Sequence, residues 1–340
     1  MAQQHTHRVA VIGGDGIGPE VVREALRVID AVGVTLATTD FDLGAARYLR
    51  DGFVLDDDTL EELRSYDAIL LGAIGPALGD TRIPGGTLER GLLLRLRFGL
   101  DLYINYRPFR GVPGSIADGH SFAIVRENTE GPYAGEGGVL RHGTPHEIAT
   151  QGSVNTRFGV ERCVRYAFER AAALEVPKVT LVHKTNVLTY AGDLWQRVTT
   201  QVASEYRAIA VDYNHVDAAC IYLVDDPTRY GIIVTDNLFG DILSDLAGAV
   251  SGGIGFAASG NLNPARTGPS LFEPVHGAAH DIAGTGRANP LAAISSAALM
   301  LEHLGEMSAA RRVEVAVAEF DADVHQLTTS GVTDELLKRL

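Results

Sequence analysis

The fold of this chain is decided by the stretch Ile233-Val234-Thr235-Asp236-Asn237-Leu238-Phe239-Gly240-Asp241-Ile242-Leu243-Ser244-Asp245-Leu246-Ala247-Gly248. Its apolar start is typical of the end of a buried strand, Asn237 is a candidate helix cap, and the residues from Phe239 onward have helical spacing. Asp241 and Asp245 are four positions apart, so a helix places both carboxylates on one face, within reach of one cation.

A third acid, Asp217, lies near the start of the apolar run that precedes this stretch. Together with Asp241 and Asp245 it offers the carboxylate oxygens that Mg²⁺ or Mn²⁺ prefers. The simpler interpretation of an acidic pair at helical spacing is a solvated helix face. Apolar residues surround the pair on the same helix, and two like charges so placed repel unless a cation lies between them.

Composition limits the class of protein. The 340 residues carry a formal net charge of −14, with 29 Lys and Arg, and 46% of them are hydrophobic. This length predicts roughly two globular domains, and the acidic balance argues against binding nucleic acid or an anionic membrane. We expect a cytoplasmic protein, because the start is polar, no apolar run reaches membrane-spanning length, and the two cysteines lack CxxC spacing.

A glycine-rich turn follows the first apolar run of the chain, at Gly13-Gly14-Asp15-Gly16-Ile17-Gly18-Pro19. Such a turn between a strand and a helix suggests a dinucleotide-binding motif, but Pro19 takes the place of the last glycine in GxGxxG. A turn with a purely structural role is the favoured interpretation.

Three arginines, Arg97, Arg107 and Arg126, each follow an apolar segment. A guanidinium group matches a carboxylate with two parallel hydrogen bonds, whereas a single arginine of this kind is more typical of a protein surface. Three of them in so acidic a protein predict a pocket for a small polyanion.

Two further side chains are candidates for proton transfer. Lys184 ends a predicted buried strand, where open α/β sheets place their chemistry, although an ordinary lysine at a sheet edge is equally compatible. Tyr133, flanked by Pro132 and glycines, is either a proton donor or an aromatic residue that packs a loop.

These motifs together resemble those of the β-decarboxylating dehydrogenases, which act on 3-isopropylmalate, isocitrate, homoisocitrate, tartrate or D-malate. The resemblance covers nearly the whole chain, and Glu89–Arg97 is most similar to the isopropylmalate-type enzymes of actinobacteria. The motifs that carry it are Gly14-Asp15-Gly16-Ile17-Gly18-Pro19-Glu20, Leu96-Arg97, Arg107-Pro108, Arg126 to Gly131, His183 to Leu188, Asp236 to Asp245, and His276-Gly277 through Asn289-Pro290.

The resemblance implies an α/β fold of two domains with a mixed central sheet, not a GxGxxG Rossmann fold. Residues 1–100 and 246–340 would form a large domain on the cofactor side. Residues 101–245 would form a small domain that carries the metal ligands, dimerises, and extends an intersubunit arm at about 135–156. The active sites of the homodimer would be shared between its subunits.

The resemblance also assigns roles to the candidate residues. The substrate carboxylates would be held by Arg97, Arg107 and Arg126, and its C3 substituent would contact Leu93 and Leu94, with Tyr106 a further position that affects substrate choice. Asp241 and Asp245 would bind the metal together with Asp217 of the partner subunit, which also touches the substrate. Lys184 of the partner subunit would remove the hydroxyl proton, and Tyr133 would return one after decarboxylation.

NAD would lie against a loop rather than on the glycine turn. The implied cofactor-binding residues are His276, Gly277, Ala279, Asp281, Ile282 and Asn289, and the Asp281 carboxylate would favour NAD over NADP by repelling a 2′-phosphate. The implied reaction is NAD-dependent oxidative decarboxylation of 3-isopropylmalate, in leucine biosynthesis. Another 3-substituted malate, tartrate or D-malate is the alternative substrate, and a non-catalytic regulatory paralogue is an alternative of a different class.

Overall fold

Strand β10 (Ile232–Thr235) and helix α8 (Asn237–Val250) form the opening stretch in the computed structural model, which describes residues 6–340. The helix begins one residue earlier than a cap at Asn237 requires. Asp236 is the cap, since its carboxylate accepts a hydrogen bond from the Phe239 N–H at 2.8 Å. The prediction that Asn237 caps the helix was therefore wrong.

The chain divides into two units, one formed by residues 6–102 with Gly253–Leu340 and the other by Tyr103–Gly252. The predicted boundaries, after residues 100 and 245, differ from these. A boundary after residue 245 would cut α8. The second unit instead ends at Gly252, because the N–H groups of Ser251 and Gly252 donate to carbonyls in the last turn of that helix. Residues 1–5, which form most of the polar start used in the prediction of a cytoplasmic protein, lie outside the described residues.

The first unit contains a five-stranded sheet in the order β2-β1-β3-β12-β11. The first four strands are parallel and the last pair is antiparallel. The strands are β1 (His7–Gly14), β2 (Leu36–Asp40), β3 (Ala68–Ala73), β11 (Ala258–Leu262) and β12 (Ser270–Pro274). The helices are α1 (Gly18–Ala31), α2 (Ala45–Asp51), α3 (Asp57–Arg64), α4 (Arg95–Gly99), α9 (Leu291–His303), α10 (Met307–Ala318) and α11 (Thr329–Leu337).

The second unit contains five strands in the order β4-β5-β10-β8-β9. The β4–β5 pair is antiparallel and the remaining pairs are parallel. The strands besides β10 are β4 (Ile104–Arg110), β5 (Ser121–Glu127), β8 (Lys178–His183) and β9 (Ala210–His215), and the helices besides α8 are α5 (Arg157–Ala171), α6 (Thr189–Ala203) and α7 (Val216–Asp225). Parallel strands that alternate with helices in both units confirm the predicted α/β fold with a mixed sheet.

The glycine turn after β1 packs against neighbouring backbone. Gly16 has a φ of 56°, and a Cβ there would lie 1.8 Å from the Ala278 carbonyl oxygen. The same oxygen accepts a hydrogen bond from the Ile17 N–H at 2.8 Å. The Asp15 carboxylate, buried below the turn, accepts from the N–H groups of Ala45 and Gly75. These contacts support the interpretation of a structural turn.

The helical segment that precedes β4 is divided into two parts. Glu89–Leu94 forms a π-helical segment, and α4 follows at Arg95–Gly99. Leu92 and Leu96 on these two parts are fully buried in the core of the first unit. Short π-helical insertions change which side chains share a face, and they are frequent at functional sites.

The segment between the end of β5 and α5 forms a two-stranded antiparallel hairpin, β6 (Gly137–Leu140) and β7 (Ile148–Gln151). Every residue of both strands is exposed, including Leu140 at 65%. An isolated hairpin with exposed apolar side chains is only marginally stable alone in water, so this hairpin fits the predicted arm. Among the described residues, the helices are all too short or too polar to cross a membrane.

Candidate functional site

The two acids of α8 lie on its exposed side, one helical turn apart. The Asp241 side chain is 40% exposed and that of Asp245 is 74% exposed. Leu243 and Ala247, on the opposite side, are completely buried. The helix therefore presents its carboxylates while its other face packs in the core, as the spacing predicted.

Arg126 is a buried cation at the end of β5, with its side chain 1% exposed. Its Nη1 donates to Asp241 Oδ1 at 2.5 Å, and its Nε and Nη2 donate to the Asn237 side-chain oxygen at 3.1 and 2.8 Å. A buried guanidinium needs both a counter-charge and hydrogen-bond acceptors, and α8 supplies them from its first two turns. Gly240 makes this approach possible, because a Cβ there would lie 2.5 Å from Arg126 Cγ.

Arg107 reaches the same face of α8 from the neighbouring strand β4. Its Nη1 donates to Ser244 Oγ at 2.5 Å, and its guanidinium nitrogens lie 3.9 Å from carboxylate oxygens of Asp241 and Asp245. Two arginines and two carboxylates thus share one small region. This region carries both the charges that hold an anion and those that hold a cation.

Tyr133 completes the region from the 3-10 turn Pro132–Ala134. Its hydroxyl donates to Asp241 Oδ2 at 2.7 Å, and the Arg126 guanidinium lies over its ring at 5.2 Å from the centroid. The structure therefore places the tyrosine hydroxyl among the charged groups. These contacts favour a proton donor over an aromatic residue that only packs a loop.

Lys184 and Asp217 form a separate pair at the ends of β8 and β9. Lys184 Nζ donates to Asp217 Oδ1 at 2.7 Å. The ammonium group lowers the pKa of the Asp217 carboxyl, chiefly through this hydrogen bond. Both side chains point into solvent to some degree, with Asp217 67% exposed.

The three acids predicted to bind a metal are not gathered within one chain. Among residues 6–340, no group of three or more His, Cys, Asp or Glu side chains is placed to hold a metal ion. Asp241 and Asp245 nevertheless offer hard carboxylate oxygens on one exposed helix face, which is the donor chemistry that Mg²⁺ and Mn²⁺ require. The pair fits such an ion as two of its ligands, provided that Asp241 exchanges one of its present hydrogen bonds for the metal.

The remaining substrate candidates belong to the first unit. Arg97 Nη2 lies 3.8 Å from Glu273 Oε1, an oxygen that also accepts from Asn261 Nδ2 at 2.7 Å. Leu93 and Leu94 are both half-buried, and Leu93 packs against the core of the unit. Arg97 therefore has a fixed carboxylate neighbour, while each leucine retains some accessible apolar surface.

The predicted cofactor loop lies between β12 and α9 and is tied down along its length. Ala279 has a φ of 39°, a left-handed conformation that is uncommon for alanine. The Ala278 carbonyl accepts from the Ile17 N–H, His280 Nε2 lies 2.8 Å from the Gly75 carbonyl oxygen, and Gly284 N–H donates to the Glu20 carboxylate. These hydrogen bonds fix the conformation of the loop.

Within this loop the six candidate residues differ in exposure. His276 is buried, and burial lowers the pKa of its imidazole. Gly277, Ala279 and Asp281 are exposed, whereas Ile282 and Asn289 are half-buried. Asn289 Oδ1 accepts from the Leu291 N–H at 3.0 Å, so this side chain supports the start of α9.

Tyr106, on β4 beside Arg107, packs against α5. Its hydroxyl accepts from Arg170 Nη2 at 3.2 Å, and its ring packs edge-on against Tyr166 of α5. Adjacent residues of a strand point to opposite faces, so Tyr106 faces α5 while Arg107 faces α8. The role of Tyr106 in substrate choice stays a prediction.

Two polar residues of the site were missed from the sequence. Asn237 accepts hydrogen bonds from Arg126 and donates to the Glu130 carbonyl at 3.0 Å, and Ser244 bonds Arg107. Helical spacing was the available signal, because positions 241, 244 and 245 follow position 237 by four, seven and eight residues, which places all four on one helix face.

The protein has an α/β fold of two units, and two arginines from neighbouring strands meet two carboxylates on one helix face. These are features of an enzyme that binds a small organic acid. The profile of the isocitrate/isopropylmalate dehydrogenase family matches residues 8–335. The chain belongs to that family.

Curated relatives in this family match almost end to end. A 3-isopropylmalate dehydrogenase of Corynebacterium glutamicum is 58% identical over 98% of this chain and 99% of its own. A 3-isopropylmalate dehydrogenase of Thermobifida fusca is 59% identical over 92% of this chain and 91% of its own. Among solved structures, the isocitrate dehydrogenase of Methylococcus capsulatus superposes with a TM-score of 0.87 at 38% identity, covering 98% of this chain and 99% of that one.

Proposed function

We propose that this protein catalyses the NAD-dependent oxidative decarboxylation of 3-isopropylmalate to 4-methyl-2-oxopentanoate, a step of leucine biosynthesis in the cytoplasm. The observation that carries the proposal is a connected group of charged side chains. Arg126, Tyr133 and Arg107 each contact Asp241, and Arg107 also lies within ion-pair distance of Asp245. The relatives named 3-isopropylmalate dehydrogenase support the choice of substrate.

Substrate binding in this proposal uses charge for the acid groups and apolar surface for the side chain. Arg97, Arg107 and Arg126 hold the two carboxylates through bidentate hydrogen bonds. Leu93 and Leu94 contact the isopropyl group at C3, with Asp217 of the partner subunit near the substrate as well. An apolar pocket discriminates against one added or missing methylene by only about 1–3 kcal/mol, so close homologues of the alkyl group are poorly excluded.

Proton transfer in this proposal is divided between two side chains. Lys184 of the partner subunit would accept the proton of the C2 hydroxyl, and bound NAD would supply the acceptor for the hydride of C2. The resulting β-keto acid loses CO₂ when the bond between C3 and its carboxylate breaks. Tyr133 then donates a proton to C3, for which its hydroxyl, now hydrogen-bonded to Asp241, is well placed.

A bound Mg²⁺ or Mn²⁺, held by Asp241, Asp245 and Asp217 of the partner subunit, would supply the positive charge that stabilises oxygen at C2 during both steps. Arg126 keeps Asp241 in position until a metal binds, and Arg107 stands close to both local carboxylates. The present hydrogen bonds of Asp241 thus support a carboxylate that is held ready for a cation.

Cofactor binding is proposed for the loop that contains His276, Gly277, Ala279, Asp281, Ile282 and Asn289. The exposed Asp281 carboxylate accepts a hydrogen bond from the 2′-hydroxyl of the adenosine ribose and repels a 2′-phosphate. NAD is therefore the preferred cofactor in this proposal.

A homodimer is proposed because the residues of one chain leave the metal site incomplete and expose apolar helix surface. Ile221 and Val224 on α7, and Leu238 and Ile242 on α8, are exposed by 37–65%. Exposed apolar residues grouped on neighbouring helices are typical of obligate interfaces. The hairpin of β6 and β7 would serve as the arm that crosses to the partner.

The test is NADH formation in the presence of Mn²⁺, followed for 3-isopropylmalate, isocitrate, tartrate and D-malate with the purified full-length chain. We expect the highest kcat/KM with 3-isopropylmalate and no turnover by a Lys184→Ala variant. A higher value with tartrate or D-malate would reassign the substrate. Absence of turnover on all four acids would refute the proposed enzymatic activity and favour a non-catalytic regulatory paralogue.

A further inference from the structure

The hydroxyl group of Tyr213, on β9, stands at the centre of a cluster around the Lys184 backbone. It lies 3.3 Å from the His183 carbonyl oxygen and 3.3 Å from the Thr185 amide nitrogen. It also lies 2.9 Å from Thr185 Oγ1 and 3.0 Å from His215 Nδ1. One hydroxyl therefore contacts the residues immediately before and after Lys184.

The sheet brings these groups together because β8 and β9 run parallel and end side by side, with His183 opposite His215. Lys184 is the first residue after β8. His215 is the last residue of β9 and precedes α7, whose first turn contains Asp217. Tyr213 thus connects the two chain segments that carry the Lys184–Asp217 pair.

The hydrogen-bonding capacity of the hydroxyl suits this role. A tyrosine hydroxyl has one proton to donate and two lone pairs to accept with. The Thr185 amide and hydroxyl can both donate to it, and its own proton can go to the His183 carbonyl or to His215. Since the groups lie on different strands, their shared partner restrains one strand end against the other.

The opposite side of the same turn is also closely packed. A Cβ at Gly192, in α6, would lie 2.6 Å from the Cα of Thr185. Thr185 is therefore enclosed between the α6 backbone and the Tyr213 hydroxyl. Loss of that hydroxyl removes the hydrogen-bonded side of this enclosure.

We propose that Tyr213 is a positioning residue that holds the Lys184 amine and the start of α7 as one rigid group. It touches neither substrate nor cofactor, and acts through the backbone on both sides of Lys184. The proposal rests on the proposed function, in which Lys184 and Asp217 are delivered together to a substrate and a metal ion.

The test compares Tyr213→Phe with Tyr230→Phe, which removes a tyrosine hydroxyl from the same unit. Tyr230 is buried, and its hydroxyl donates to Asn214 Oδ1 at 2.9 Å. A 1 Å displacement of a catalytic group costs up to about 10²-fold, so we expect kcat of Tyr213→Phe to fall about tenfold or more. KM for the malate substrate and for NAD should change less than about twofold, because the binding arginines are untouched.

A second readout does not depend on turnover. Tyr213→Phe deprives the Thr185 N–H of its acceptor, so hydrogen exchange at Thr185 should accelerate while exchange in the core of β8 stays unchanged. Tyr230→Phe should leave both kcat and this exchange close to wild type.

The outcomes separate this proposal from the proposed function. Wild-type kcat in Tyr213→Phe, or equal losses in both variants, would overturn the positioning role. If the wild-type protein turns over none of the four acids, the proposed function fails. Hydrogen exchange then decides the positioning role alone, and unchanged exchange at Thr185 in Tyr213→Phe would overturn it.

Discussion

The neighbours of Asp241 determine how its carboxylate is oriented. Arg126 and Tyr133 each hold one of its carboxylate oxygens, so a side chain that is 40% exposed is nevertheless oriented. Arg126 in turn is buried only because Asp241 and Asn237 compensate its charge and its donors. A metal ion at this place would take over part of the compensation that the arginine now provides.

Asp281 allows the clearest test of a single side chain. An Asp281→Lys substitution replaces a carboxylate that repels the 2′-phosphate with a cation that attracts it. We expect the ratio of kcat/KM for NAD to that for NADP to fall by about tenfold or more, since one charged hydrogen bond is worth roughly 1.5–3 kcal/mol. Steady-state kinetics with both cofactors measures this, and Asp281→Asn serves as the neutral control. An unchanged ratio in the lysine variant would contradict the proposed location of the adenosine ribose.

The contact between α8 and β5 shows how two elements together bring an arginine and a carboxylate into one region. Ordinarily, replacing a glycine within a helix by alanine stabilises a protein by about 1 kcal/mol. At Gly240 the added methyl group would meet the Cβ and Cγ of Arg126 at 2.7 and 2.5 Å, near the base of that side chain. The helix or the arginine must therefore move.

For Gly240→Ala we expect the opposite of the usual effect. Overpacking costs about 1–3 kcal/mol, so the free energy of unfolding should fall rather than rise. KM for the malate substrate should rise as Arg126 is displaced. Urea denaturation and steady-state kinetics measure the two effects. Gly85→Ala is the control, because nothing lies within 4 Å of its Cβ position, and an equal result in both variants would exclude the contact as the cause.

The proposed dimer has a consequence for the whole molecule, since each active site would take Asp241 from one chain and Lys184 from the other. Lys184→Ala and Asp241→Asn variants should each be inactive alone. In a mixed dimer of the two, one site receives both defects and the other receives none. Random pairing makes half of the dimers mixed, so co-expression in equal amounts should restore about a quarter of the wild-type activity per chain.

The matched control for this complementation combines Asp241→Asn with Asp245→Asn. Both changes affect the local half of a site, so every site of the mixed dimer keeps one defect and activity should stay absent. No activity in the first mixture would contradict shared sites. Activity in this control would show that the restored activity does not come from pairing complementary halves. Separately tagged chains and sedimentation of the purified mixed species establish the composition.

Local patterns in the sequence determined the features that depend on spacing along one segment. The four-residue interval between Asp241 and Asp245 placed both on one helix face, because an α-helix repeats every 3.6 residues. Pro19 in the glycine turn excluded a GxGxxG motif for the same kind of reason, since the motif is a property of consecutive residues. The recognition of the family likewise rested on short runs such as Arg126 to Gly131.

Only the tertiary structure decided which distant residues meet. Asp236 rather than Asn237 caps α8, which leaves the Asn237 amide for Arg126, and Tyr106 faces α5 rather than the arginine site. Tyr213 contacts Thr185, the residue after Lys184, from a strand position 28 residues further along the chain. No periodicity encodes such contacts, because they depend on strand order and on the direction of each side chain once the sheet has formed.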